Sequence, residues 1–243
     1  MQKKFNRIIS LIPARSSSKG IKDKNIKKIN NFPLIYYSIM SSFNSKLIND
    51  TYLFTDSPKY EKVATQYGVK FPFKRDKYNA KDTSSDSDVI KEFLEKYFLY
   101  YKNYPDLIVY LRPTQPLRSS KLIDKCIKKF FELDFRKFTC LRTLRNSPYP
   151  PYWMKTLKKN LIKKLPIDKN KDLSRTRRQD LPITYICDGY VDIVLTKAFL
   201  KEKIFPTSKQ FGYFDDSIPF LDIDNLSDLS LFEFYLKKND TNS

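Results

Sequence analysis

Histidine is absent from the 243 residues of this chain, and glycine occurs only 4 times. The lack of imidazole excludes Ser-His-Asp and Cys-His catalysis, histidine-ligated metals and acid–base chemistry by histidine. The chain also has no GxxxxGK[ST] loop and no GxGxxG loop, which argues against a kinase, a P-loop ATPase or a Rossmann dehydrogenase. Any chemistry must therefore use carboxylates, Lys and Arg side chains, hydroxyls and hard metal ions.

Cysteine is scarce, and long apolar runs are missing. The three cysteines, Cys126, Cys140 and Cys187, stand far apart and form neither a zinc-binding spacing nor a disulfide framework. This pattern favours small apolar core residues in a reducing cytoplasm. No apolar run approaches the roughly 20 residues of a membrane span, and residues 1–5 contain no apolar signal-peptide segment. We therefore expect a cytoplasmic protein without membrane contact.

Positive charge is in excess, with a formal net charge of +19. An anionic partner such as nucleic acid, a membrane surface or a nucleotide would explain it. A bias toward Lys, Asn, Ile, Phe and Tyr, as an AT-rich coding sequence produces, would also explain it. Most lysines are scattered over predicted helix faces, and no aromatic–basic repeat of an RNA-binding module is present. The compositional explanation is favoured, and a nucleic-acid partner is not.

Apolar runs that suit strands alternate with amphipathic helical patterns over the first 135 residues. This βαβα order predicts an α/β fold with a mostly parallel sheet flanked by helices, in which ligands bind beyond the carboxyl ends of the strands. Prolines and basic residues break the pattern from about 146 to 182, which indicates a mobile lid or an arm that grips another subunit. The chain 1–243 is expected to be one domain with this inserted arm. We expect strands at 8–12, 51–55, 69–73, 106–111, 137–142 and 183–194, and helices at 33–43, 58–67, 85–101, 120–131 and 225–236.

The loop after the first strand is rich in small hydroxyls and basic side chains. Backbone N–H groups and hydroxyls there can surround phosphates, and Arg15, Lys19 and Lys24 can neutralise them. The alternative is an ordinary polar βα loop in a Lys-rich protein. A second feature, Asp222 with Asp224, places two carboxylates on one side of an extended segment. Beside a triphosphate they could hold Mg²⁺, although Asp224 could equally cap the following helix.

Three further segments combine polar side chains with stiff or capping residues. The loop 111–118 holds two prolines and two arginines, which preorganise a binding loop or simply start a helix. Arg75 with the stretch 82–86 could bind the polar edges of a base or sugar, or Ser84 or Ser85 could cap a helix. The run 175–182 could clamp an anion or form a solvated face.

Together these segments resemble the CMP-N-acylneuraminate (sialic acid) cytidylyltransferase family over nearly the whole chain. The first loop is similar to the family's nucleotide-binding signature at Arg15, Ser18, Lys19, Gly20, Lys24 and Asn25. Further matches, in the same order along the chain, are Thr55-Asp56-Ser57, Arg75 with Asp82-Thr83-Ser84-Ser85, Arg112 to Arg118, Arg178 to Pro182, and the pair Asp222 and Asp224. Six ordered matches are far more specific than any one of them.

The resemblance implies a nucleotide-diphospho-sugar transferase-like (modified Rossmann) fold with an arm exchanged between the two subunits of a homodimer. It also implies the reaction of CTP with a nine-carbon 2-keto acid sugar to give CMP-sugar and pyrophosphate. The anomeric hydroxyl would attack the α-phosphate, a transfer that depends on positioning and charge neutralisation.

The resemblance also implies roles for individual residues. Arg15 and Lys19 would hold the phosphates, and Asp222 and Asp224 would bind Mg²⁺; these four would carry catalysis. The expected nucleotide-binding residues are Arg15, Ser18, Lys19, Gly20, Lys24, Asn25, Arg75, Ser84 and Asp86. The expected sugar-binding residues are Arg112, Gln115, Arg178, Asp188 and Asp192.

The chain departs from the family on the expected sugar-site strand. Where the family usually has Asn-Gly-Ala-Ile-Tyr, this chain has Asp188-Gly189-Tyr190-Val191-Asp192. Two added carboxylates would repel an acid sugar unless Arg112 or Arg178 pairs them, so a different sugar, such as one with an amino group, is a hypothesis. The close alternatives are another acidic or amino sugar, or another nucleotide; a basic nucleic-acid-binding protein with a degenerate enzyme fold is the alternative from a different class.

Overall fold

The computed structural model describes residues 5–17, 20–165, 167 and 171–240. The strands are β1 (Ile8–Pro13), β2 (Lys28–Ile29), β3 (Phe32–Pro33), β4 (Asp50–Phe54), β5 (Leu107–Tyr110), β6 (Cys140–Asn146), β7 (Lys155–Lys158), β8 (Leu161–Lys164), β9 (Tyr185–Leu195) and β10 (Gln210–Phe214). The helices are α1 (Leu34–Phe43), α2 (Pro58–Thr65), α3 (Asp86–Tyr101), α4 (Ser120–Phe131), α5 (Thr196–Glu202) and α6 (Leu226–Asp240). Among these residues, no helix is both long and apolar enough to cross a membrane.

Six strands form one sheet in the order β10-β6-β9-β5-β1-β4. The pairs β1–β4, β1–β5 and β10–β6 are parallel, whereas β9 runs antiparallel between β5 and β6. The expected α/β fold with a mostly parallel sheet is therefore confirmed. Because β1 and β5 are parallel neighbours, the loops that follow them open at the same edge of the sheet.

Helices cover both faces of the sheet. Apolar side chains of α1 and α4 pack with one face, and those of α3 and α5 pack with the other. The predicted helix starts depend on side-chain caps. Ser85 and Asp88 form a capping box at α3, and Ser57 and Ser119 cap α2 and α4.

Several sequence expectations differ from the structure. The strand expected at 69–73 is a single bridge between Tyr52 and Lys70. The strand expected at 137–142 begins only at Cys140, because Lys137 and Phe138 turn back to the carbonyl of Asp134. Cys187 is exposed rather than in the core, while Cys126 and Cys140 are buried as expected. β10 was not expected; it pairs in parallel with β6 at the rim of the sheet.

After Asn146, the described residues up to 182 lie outside the six-stranded sheet. Their regular part is the antiparallel hairpin of β7 and β8, and every residue of these two strands is exposed. Leu157, Leu161 and Ile162 are 69%, 61% and 68% exposed. No residue in the described part of the chain covers the apolar surface that this hairpin presents.

Candidate active site

A cleft of about 640 Å³ opens at the carboxyl edge of β1 and β5. The charged residues that line it are Arg15, Lys24, Arg75, Lys81, Arg112, Asp82, Asp86 and Asp224. In the described part of the chain the lining thus holds five cations and three carboxylates. This excess of positive charge in a concave site favours an anionic ligand.

Bonds from other elements hold the start of the first loop. The guanidinium of Arg15 pairs with Asp82 at 2.5 Å, and the buried Asn25 amide donates to the Arg15 carbonyl at 3.1 Å. Ser16 donates to Asp56 through its N–H at 2.9 Å and through its hydroxyl at 2.5 Å. Arg15 therefore enters the cleft from a firmly positioned backbone. The two remaining expected loop residues, Ser18 and Lys19, lie outside the described residues.

The first loop also contacts the segment that carries the two expected metal-binding carboxylates. Lys24 donates through Nζ to the Ile223 carbonyl at 2.6 Å and to Asp224 at 3.1 Å. Gly20 lies so close to this segment that a β-carbon there would overlap the backbone carbonyl oxygen of Asp224. Glycine is required here because the two backbones approach each other closely.

Asp222 and Asp224 lie on an irregular extended segment, not at the end of a strand. The N–H of Ile223 donates to the Thr114 carbonyl at 2.9 Å, which ties this segment to the loop after β5. Burial raises the pKa of Asp222 and the charge of Asp224 raises it further, whereas the Thr114 side chain lowers it. Asp224 is exposed and lines the cleft.

Asp224 does not cap α6. The cap of α6 is Asn225, whose side-chain oxygen accepts the Asp228 N–H at 3.2 Å.

Arg75 and Ser84 both line the cleft near α3. The buried Arg75 guanidinium donates to the Asn79 carbonyl from Nε at 3.0 Å and from Nη2 at 2.5 Å. Burial lowers the pKa of Arg75. Ser84 does not cap α3, since Ser85 has that role. Its side chain is thus available to the cleft.

Arg112 joins residues that were expected in two different subsites. It donates to Asp86 at 2.5 Å and to Asp192 at 2.6 Å. Burial lowers the pKa of Arg112, but Asp192 and Asp86 outweigh this and the net shift is upward. The other oxygen of Asp86 accepts the Tyr110 hydroxyl at 2.7 Å. Asp86, which was expected in the nucleotide site, is therefore bonded to Arg112, which was expected in the sugar site.

The two carboxylates that distinguish this chain from its family pattern are both buried. Asp192 also accepts from Arg142 Nε at 3.0 Å. Asp188 accepts the Tyr190 N–H at 3.0 Å and the Thr143 hydroxyl, and Arg145 Nε lies 3.5 Å from its second oxygen. Neither carboxylate lines the cleft. Arginines neutralise both carboxylates. Arg112 and Arg178 were expected to do so, and Arg112 does pair with Asp192. The other partners are Arg142 at Asp192 and Arg145 at Asp188, instead of Arg178.

The remaining expected sugar-site residues lie outside the cleft lining. Gln115 is buried and accepts the Thr114 hydroxyl at 3.1 Å. Arg178 is exposed on a 3₁₀ turn at the end of the arm. A single chain therefore does not bring Arg178 together with Arg112.

Sequence reasoning missed four residues of this region. Tyr110 and Lys81 line the cleft, Arg142 contacts Asp192, and the buried Arg118 holds the loop after β5. Arg118 donates to the carbonyl of Tyr190 at 2.7 Å, to the Ser38 hydroxyl at 2.6 Å and to the Arg112 carbonyl. Burial lowers its pKa to about 9. Two sequence signals were available: Arg118 ends the matched loop Arg112 to Arg118, and the spacing of Tyr110 and Arg112 puts both side chains on one face of an extended segment.

A mostly parallel sheet, a basic first loop and paired carboxylates at the carboxyl edge define a nucleotide-binding enzyme of the α/β class. The family model described as Cytidylyltransferase matches residues 9–215. The chain belongs to this family, and the resemblance noted from its sequence is confirmed.

Named relatives and a solved structure agree with this assignment. The chain is 32% identical over 238 residues to post-translational flagellin modification protein B of Campylobacter coli, covering 96% of this chain and 97% of that protein. It is 32% identical over 231 residues to CMP-N,N'-diacetyllegionaminic acid synthase of Campylobacter jejuni, covering 94% of each. The structure of CMP:2-keto-3-deoxy-manno-octonic acid synthetase complexed with CTP superposes with a TM-score of 0.70 over 96% of this chain and 100% of that one. At 12% identity this last likeness shows the fold alone.

Proposed function

We propose that this cytidylyltransferase joins CTP to a sialic-acid-like nine-carbon 2-keto acid sugar, giving CMP-sugar and pyrophosphate. The observation that carries the proposal is the cleft with five cations at the carboxyl edge of β1 and β5, in a chain of this family. The relative named as a CMP-N,N'-diacetyllegionaminic acid synthase supports an acid sugar as the acceptor. The anomeric oxygen forms a bond to the α-phosphorus while the bond to the departing pyrophosphate breaks.

The first loop supplies charge neutralisation for this transfer. Arg15 and Lys24 line the cleft, and we propose that they contact the phosphates together with Lys19 and Ser18. Arg15 pairs with Asp82 and Lys24 pairs with Asp224, and a bound phosphate would compete with these carboxylates for the two cations. Phosphoryl and nucleotidyl transfer needs little covalent help from the protein, so fixed cations around the phosphates supply most of the catalysis.

We propose Mg²⁺ as the cofactor, held by Asp222 and Asp224. Mg²⁺ is usually bound by one or two carboxylates together with substrate phosphates and waters. The described residues hold no group of three or more His, Cys, Asp or Glu suited to a metal, so phosphates and waters would complete the shell. The raised pKa of Asp222 marks a carboxylate whose ionised form a cation would stabilise. When bound, Mg²⁺ would neutralise charge on the α-phosphate and the leaving pyrophosphate.

We propose a homodimer in which the arm 146–182 packs on the second copy. The exposed apolar side chains of β7 and β8 support this, because burying them requires another surface. Arg178 would then reach the partner's cleft. We also propose the cytoplasm as the location, which the three free thiols support.

The test is pyrophosphate release measured with four nucleoside triphosphates and a panel of sugars. The panel holds N-acetylneuraminate, N,N'-diacetyllegionaminate, pseudaminate and the eight-carbon 3-deoxy-manno-octulosonate. We expect Mg²⁺-dependent release with CTP and a nine-carbon acid. Faster release with another nucleotide, or only with the eight-carbon sugar, would contradict the proposal.

Two alternatives differ from this proposal, one in the kind of sugar and one in the class of protein. An amino sugar would need free carboxylates, yet arginines pair both Asp188 and Asp192. A nucleic-acid-binding protein would bind single or double strands with strong salt dependence and release no pyrophosphate from any nucleotide.

A further inference from the structure

A row of polar side chains crosses three strands next to the cleft. In the sheet register, Arg142 on β6 lies opposite Asp192 on β9, and Asp192 lies opposite Tyr110 on β5. Directly paired residues of antiparallel strands point to the same face of the sheet. The row therefore begins at Tyr110, where β5 ends in the cleft, and reaches two strands beyond it.

Asp192 is the centre of this row and is 0% exposed. Each of its oxygens accepts from a different arginine, Oδ2 from Arg112 at 2.6 Å and Oδ1 from Arg142 at 3.0 Å. A carboxylate held this way has no free charge for a substrate. Its effect is to fix the direction of both guanidinium groups, since charge-assisted bonds are short and directional.

Arg112 and Arg142 differ in how many of their guanidinium N–H donors remain unused. Arg112 uses one terminal nitrogen on Asp192 and the other on Asp86. Arg142 uses Nε on Asp192, and no residue in the described ranges accepts from its Nη1 or Nη2. Its side chain is 20% exposed. Terminal guanidinium N–H groups match a carboxylate in a bidentate arrangement, so Arg142 is the arginine with capacity for an anion.

The position of β6 in the sheet indicates which anion Arg142 would bind. β6 is three inter-strand steps from β1, or roughly 14 Å, and the phosphate contacts Arg15 and Lys24 follow β1. A triphosphate held there leaves Arg142 on the far side of Arg112. We propose that Arg142 binds the carboxylate of the acid sugar and that Asp192 is the residue that positions it. This inference rests on the proposed function.

The first test compares Michaelis constants for the wild type, Arg142→Gln and Arg142→Lys, using whichever nine-carbon acid of the panel the wild type turns over. In Arg142→Gln the KM for the sugar should rise about tenfold to a hundredfold, the loss expected for charged hydrogen bonds, with the KM for CTP within about twofold. Arg142→Lys should show an intermediate rise in the KM for the sugar, because an ammonium keeps the positive charge but lacks the paired N–H donors of a guanidinium. Arg136→Gln, in the turn before β6 and 90% exposed, is the matched control and should leave both constants unchanged.

The second test asks whether Arg142 reads the carboxylate itself. The methyl ester of the same sugar should be a poorer substrate than the acid for the wild type, and Arg142→Gln should lose about tenfold or more of this preference. If Arg142→Gln does not fold, Arg142→Lys, which keeps a cation beside Asp192, is measured in its place. A preference that stays within about twofold of the wild type, or an equal rise in both Michaelis constants, would overturn the inference. A wild type that releases no pyrophosphate with any acid sugar instead refutes the proposed function, and this inference with it.

Discussion

Replacing Asp192 with Asn removes the negative charge at the centre of the row of polar side chains, between Arg112 and Arg142. The buried carboxylate accepts from Arg112 at 2.6 Å and from Arg142 at 3.0 Å. An asparagine keeps the shape and one acceptor oxygen, but its amide presents N–H donors to the second guanidinium. One arginine is therefore left facing a donor, without its counter-charge.

The expected loss of stability follows from how well each arginine can adapt. Removing one partner of a buried ion pair costs about 3–5 kcal/mol. Arg112 retains Asp86 at 2.5 Å, and Arg142 is partly exposed, so water can solvate it. Both features reduce the cost, and we expect the lower end, about 3 kcal/mol. For a chain of this size that corresponds to a fall in Tm of roughly 6–12 °C.

Urea unfolding and calorimetry of wild type and variant measure this loss. The matched control is Glu132→Gln, which removes a surface pair with Lys129 and should change stability by less than about 0.5 kcal/mol. The double variant Asp192→Asn/Arg142→Gln also removes the stranded cation, and it should recover about 1–2 kcal/mol relative to additivity. A single-variant loss as small as that of the control, or strict additivity in the double variant, would refute the reasoning.

Three further predictions concern the first loop, the metal segment and the arm. Gly20→Ala should lower kcat/KM for CTP by roughly 100-fold, because its β-carbon displaces the Asp224 segment; unchanged kinetics beside an unchanged thermal scan would show that the two segments move apart freely. Asp222→Asn should be at least as stable as wild type in urea at pH 7, since a raised pKa means that ionisation costs folding free energy. That difference should vanish as the pH falls below the ordinary carboxyl pKa, and Mg²⁺-dependent turnover should be lost; a variant less stable at pH 7 would contradict it. Leu157→Asp should shift sedimentation from dimer to monomer, and a persisting dimer would argue against the arm as the interface.

Local sequence patterns predicted much of the architecture. The alternation of apolar runs and helical stripes predicted the α/β class, and Ser85 in front of the α3 stripe predicted the cap that forms there. The strand expected at 69–73 failed because apolar composition alone does not specify a pairing partner. Asp224 was a plausible helix cap by position, but the structure gives that role to Asn225, one residue later.

The sequence by itself determined that this protein works without histidine or a glycine-rich nucleotide loop, that it has an α/β sheet, and that basic and acidic loops follow its strands. Only the tertiary structure decided which charges meet. Arg112 contacts residues 26 and 80 positions away, and Arg142 contacts one 50 positions away. Both contacts with Asp192 depend on β9 running antiparallel between β5 and β6. Hydropathy patterns do not encode strand order, so they did not show that arginines pair both of the added carboxylates, which had suggested repulsion.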